Sequence, residues 1–86
     1  MDRMDILDSA KTIVTGREQQ HGDVESSFAR IAQMWAAYLD RRITAQDVCA
    51  MMILLKAARI ASGHQNDDNW VDIAGYAACG GGMDDV

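Results

Sequence analysis

The chain has 86 residues, with 8 Lys and Arg against 13 Asp and Glu, for a formal net charge of −5. A domain of that length buries only roughly 60–65% of the surface its unfolded chain exposes, so it calls for a disulfide framework, a metal or a partner subunit to stabilise it. The acidic balance argues against a protein that coats DNA or RNA, which would carry a basic face, but leaves room for a single nucleotide held through a metal or a few local cations.

Four helical segments follow in chain order. Ile6, Leu7, Ala10, Ile13 and Val14 recur at helical steps, with Asp2 and Asp5 at the start where the helix dipole favours negative charge. Gly16 reads as the stop, which predicts a first helix over about Met4 to Thr15. The polar stretch Glu18–Asp23 then reads as a loop, a glycine turn ending in the N-cap Asp23. Val24, Phe28, Ile31, Ala32, Trp35, Tyr38 and Leu39 mark one face of a second helix that ends at Asp40-Arg41-Arg42. Thr44-Ala45-Gln46-Asp47 has the form of a capping box, Thr capping and an acid three residues on. The segment behind it, Val48 to Ala61, is apolar nearly all round and is expected to be the central, most buried element, closed by Gly63. Asp67 or Asp68 can cap a fourth helix carrying Trp70, Val71, Ile73, Ala74 and Ala77. The expected architecture is all-α: a four-helix antiparallel bundle-like domain over residues 1–79, oligomeric, followed by a flexible Gly-rich acidic tail over 80–86.

Other classes are excluded on similar grounds. The charged N-terminus is no secretory signal, two cysteines make no disulfide framework, and Val48–Leu55, the longest apolar run, falls far short of the ~20 residues that span a bilayer. A cytoplasmic chain with no membrane partner is expected, its cysteines reduced. His21, His64, Cys49 and Cys79 do not fall into zinc-ligand spacing, and Gly80–Gly82 end a helix instead of opening one as a phosphate loop does.

The informative anomaly is charge on the most apolar helix. Lys56 and Arg59 lie three apart on one face, and burying either unpaired would cost several kcal/mol. The fourth helix supplies Asp68 and Asp72, four apart, with Tyr76 four further on. An antiparallel hairpin of helices three and four brings Arg59, His64, Asp68 and Asp72 to one corner, with Lys56 a turn deeper. Two readings stand side by side: a structural ion network holding the hairpin, or a site where Lys56 and Arg59 take a phosphate and Asp68 and Asp72 hold Mg²⁺. His21 and Asp23 are read either as turn and cap or as facing that same corner. Trp35, Tyr38, Trp70 and the Met51-Met52 pair read as core, with an oligomer interface as the alternative.

Together, His21-Gly22-Asp23, the Phe28-to-Tyr38 segment with Trp35, Met51-Met52-Ile53-Leu54-Leu55-Lys56-x-x-Arg59 and Asp68-Asn69-x-x-Asp72-x-x-Gly75-Tyr76 resemble a small phage and prophage helical domain family of unknown function, over residues 5 to 78. The same skeleton is similar to a nucleotide-modification-associated domain of phage genomes and, distantly, to the MazG-type all-α nucleoside triphosphate pyrophosphatases. The resemblance implies a helical oligomer in the host cytosol that binds or acts on a nucleotide with Mg²⁺. The residues themselves suggest the ligand site: Lys56 and Arg59 contact phosphate, His21, Asp23 and Tyr76 line the pocket, and Asp68 and Asp72 hold Mg²⁺ or orient the cations. The pyrophosphatases carry paired acids on two consecutive helices, whereas here Glu25 stands alone on the second and Lys56 and Arg59 occupy the third. The resemblance therefore carries nucleotide binding further than catalysis. The alternative is a non-catalytic oligomeric module that sequesters a nucleotide or acts on a host protein; a structural subunit of a larger assembly is a third possibility.

Overall fold

The computed structural model describes residues 1–63 and 66–83, and these form four α-helices in the order α1 (Arg3–His21), α2 (Val24–Leu39), α3 (Ala45–Ala61) and α4 (Asp67–Gly81). Helix starts follow local side-chain chemistry. Asp2 and Asp5 form a capping box on α1, each carboxylate accepting from the other residue's backbone N–H at 2.9 and 3.1 Å. Asp23 caps α2, accepting from the Ser26 N–H at 3.3 Å and the Ser26 hydroxyl at 2.9 Å. Thr44 and Asp47 form the expected box on α3, at 3.0 and 2.9 Å.

Three boundaries differ from expectation. Helix α1 runs through Gly16 to His21, so Glu18–His21 is helix and not loop. A mid-helix glycine costs only about 1 kcal/mol, and Arg17-Glu18-Gln19-Gln20 are good helix formers. The terminator is instead Gly22, whose φ of +78° few side chains tolerate and whose N–H closes the last turn on Glu18 O. Helix α4 is capped by Asn66, which accepts from the Asp68 N–H at 2.8 Å, leaving Asp67 and Asp68 inside the first turn. Its other end continues through Gly80 and Gly81, and Met83 is buried; 84–86 lie outside the described residues.

Helix α4 packs against both α3 and α1, and α2 lies on α3, while α1 and α2 barely touch despite being consecutive. Among the described residues the core is thin: Ala10, Ala32, Val48, Cys49, Val71 and Met83, with only Val48 and Cys49 of these fully enclosed. Helix α3 thus supplies the deepest residues, but only in its first half; Leu54 and Leu55 further along are exposed. Tyr38 (89% exposed) and Trp70 (54%) stand on the surface instead of in the core, and Trp35 is half-buried. The accessible surface of 6266 Å² exceeds the roughly 5,000 Å² of an ordinary folded monomer of this mass. No described helix is long and apolar enough to cross a membrane.

Candidate functional site

The sparse contact between α1 and α2 leaves a cleft of about 280 Å³ whose floor is α4. Its apolar wall includes Ile13 and Val14 of α1, Phe28 and Ile31 of α2, and Val71 of α4. Phe28 and Tyr76 meet edge to face, ring centroids 6.1 Å apart at 65°. The polar lining comes from Arg17 and His21, one turn apart near the end of α1, from Ser27, and from Asp72, Tyr76 and Cys79 on α4. The glycine link at Gly22 forms part of the rim. Gly75 also lines the cleft, its absent Cβ 3.8 Å from a methyl of Val14.

Asp72 joins the cleft to the hairpin behind it. Its carboxylate holds the Lys56 ammonium at 2.9 Å, with the lysine side chain 13% exposed and the aspartate 30%. This is one of the pairs that the structural reading of the sequence anticipates, and the close geometry offsets the desolvation of a half-buried cation. Further along the same seam α3 and α4 approach closely: a Cβ on Gly80 would lie 2.9 Å from Cys49 Cβ, and Gln46 Nε2 donates to Gly80 O at 2.9 Å.

The cysteines are placed as inert thiols. Burial, reinforced by Cys79 nearby, pushes the Cys49 thiol up to about 11. Cys79 is likewise raised, by burial first and then by the charges of Glu18 and Glu25. Both are protonated at neutral pH, so the cleft holds no activated sulfur nucleophile.

Of the residues singled out in the sequence, His21, Asp72 and Tyr76 come together in this cleft, and Lys56 reaches it through Asp72. Three others do not join them. Asp23 is committed to capping α2; hydrogen bonding shared with the Glu25 carboxyl, and then that donated by Ser26, holds its carboxyl below the ordinary range. Arg59 is exposed on α3 and makes no ion pair among the described residues. Asp68 lines a separate depression with Asp8, Ser9 and Thr12, so Asp68 and Asp72 do not face one site. His64 lies outside the described residues. Among the described residues no three His, Cys, Asp or Glu side chains cluster as a metal would need, and Asp72 is already engaged by Lys56.

Arg17 is the residue that the sequence reading misses. Ile13, Arg17 and His21 are spaced four apart, a stripe that emerges only once the helix is allowed to pass Gly16.

Comparison with known proteins agrees on family and is silent on activity. The family model "Domain of unknown function (DUF6378)" matches residues 5–84. The "Gene 55 protein" of Mycobacterium phage L5 is 46% identical over 76 residues, covering 86% of this chain and 49% of the relative. The protein of the same name from Mycobacterium phage D29 is 36% identical over 75 residues, covering 86% of this chain and 50% of the relative. The chain thus spans about half the length of these phage relatives. No solved structure matches the chain. Among these matches nothing corresponds to the nucleotide-modification-associated domain or to the MazG-type pyrophosphatases.

Proposed function

We propose that this chain, which belongs to the DUF6378 family of phage-type domains of unknown function, binds a nucleotide in the α1–α2–α4 cleft without turning it over. The observation that supports the reading is the composition of the cleft: an apolar, aromatic wall with a guanidinium and an imidazole one helical turn apart at its edge. A nucleobase suits the Phe28–Tyr76 side, since a flat ring stacks there with little loss of freedom. A phosphate suits Arg17, whose planar fork donates two parallel hydrogen bonds, with His21 beside it. The cleft volume of about 280 Å³ lies at the small end for ligand sites, which fits a mononucleotide better than a dinucleotide.

Lys56 serves this site indirectly, by fixing the Asp72 carboxylate for contact with the base or sugar. Asp72 lines this cleft and Asp68 a separate depression, so the cleft presents one carboxylate to a ligand and not the paired acids of a hydrolase. Any Mg²⁺ would arrive with the ligand's own phosphates. Calorimetric titration of a mononucleotide panel tests the reading. Saturable binding is expected for at least one member, weakened roughly tenfold or more in Arg17→Ala, since a charge-assisted hydrogen bond contributes about 1.5–3 kcal/mol. Arg59→Ala should bind as the parent does. Absence of binding across the panel, or full affinity in a folded Arg17→Ala variant, would sink the idea.

A second reading, docking onto a host protein, draws on Met34 and Tyr38, one turn apart and both strongly exposed on α2. A chain that ignores every nucleotide but loses a protein partner in Tyr38→Ser would favour it.

A further inference from the structure

Among the described residues that line the cleft, Asp72 carries the only carboxylate, and its place along α4 decides what it can meet. Asp72, Tyr76 and Cys79 follow one another on a single face of α4, at steps of four and three. Asp72 and Cys79 therefore lie about 10 Å apart along the helix, with Tyr76 between them. Arg17 belongs to the Cys79 end, where its charge acts on the Cys79 thiol; Glu18 and Glu25 act on that thiol too but do not line the cleft. The cleft is thus ordered along α4: a guanidinium at one end, the Phe28–Tyr76 pair in the middle, a carboxylate at the other end. A mononucleotide whose phosphate lies on Arg17 and whose base lies against Phe28 and Tyr76 turns the outer edge of that base toward Asp72.

At that edge a carboxylate discriminates. One oxygen of Asp72 holds the Lys56 ammonium at 2.9 Å, and an ionised carboxylate has lone pairs to offer but no proton to give. Adenine and cytosine set a ring-nitrogen acceptor beside their amine, and uracil and thymine flank their N–H with two carbonyls. Each of these turns a lone pair toward the carboxylate. Guanine differs from them in offering two adjacent donors, a ring N–H and an exocyclic amine, on its Watson–Crick edge. We propose that the cleft selects guanine nucleotides, with Asp72 accepting from these two donors. The inference rests on the nucleotide reading of the cleft and adds the identity of the base. Lys56 is then a positioning residue, holding the acceptor where the base edge arrives.

Calorimetric titration with guanylate, inosinate and adenylate at neutral pH tests it. Guanylate should bind roughly tenfold or more tightly than adenylate, as expected when a charge-assisted hydrogen bond gives way to an opposed lone pair. Inosinate keeps the ring N–H but lacks the amine, and should fall between them. Arg17→Ala should weaken guanylate and adenylate by the same factor and leave their ratio unchanged. The double variant Lys56→Met with Asp72→Ala strands neither charge; it should bind both nucleotides without preference while circular dichroism shows the helix content of the parent. Should that variant fail to fold, the ratios in the parent decide. Equal affinity of the parent for guanylate and adenylate overturns the inference and leaves the nucleotide reading standing. Inosinate binding as tightly as guanylate does the same, as does a guanine preference that survives in the double variant. Absence of binding for all of them overturns both.

Discussion

The α3–α4 seam and the α1–α2 pair are both consecutive helices, joined by short connections, yet one is closed and the other open. At the seam, Gly80 lets the two backbones approach until Cys49 Cβ fills the space a side chain would take, and Lys56–Asp72 clamps the register. Between α1 and α2 the link is only Gly22 and Asp23, but the facing side chains are bulky where α4 draws in beneath them, and a cleft remains. Adjacency along the chain therefore does not decide which helices pack. The decisive feature is whether small residues line the facing surfaces, as at Gly80, or whether side chains such as Phe28, Ile31 and Val14 hold them apart.

The largest expected effect comes from closing off that difference at Gly80. Gly80→Val places two methyls and a Cβ against Cys49 in a seam without slack, and should lower stability by about 2–3 kcal/mol in urea denaturation, as overpacking does. A variant as stable as the parent would show the seam to be looser than its 2.9 Å approach implies. Asp72→Ala comes next. It strands Lys56 and should cost about 1–3 kcal/mol by the same measurement, whereas the double change with Lys56→Met should recover most of that loss. Asp23→Ala removes the α2 cap and should cost about 1 kcal/mol. Smallest, and opposite in sign, is Gly75→Ala: with 3.8 Å to Val14 the methyl fits, and better helix propensity should add about 0.5–1 kcal/mol. Thus the same Gly-to-larger change should harm the closed seam and help the open side.

The seam also has a pH signature. Cys49 ionises in the unfolded chain near its ordinary value of 9.0 but in the folded chain only near about 11. The unfolded chain therefore releases its proton first, so stability holds below pH 9.0 and falls as pH rises toward 11. Denaturation curves of Cys49→Ala against the parent across that window should show a shallower decline in the variant.

The helix starts at Asp23 and Thr44 were legible because a cap is a local device, satisfied within three residues. The Lys56–Asp72 pair was legible because hairpin topology fixes which ends of α3 and α4 meet. The end of α1 was not: Gly16 carries a stop signal, but the good helix formers after it and the positive-φ Gly22 overrule it. Arg17 was hidden by the same error. The exposure of Tyr38, Leu54 and Trp70 was beyond reach for another reason, since periodicity reports which residues share a face but not whether anything covers it.

Asp72 belongs to two structures at once, the wall of the cleft and the clamp of the hairpin. A ligand that draws on its second oxygen shares the carboxylate with Lys56, so occupancy of the cleft and the hold of α4 on α3 are thermodynamically linked.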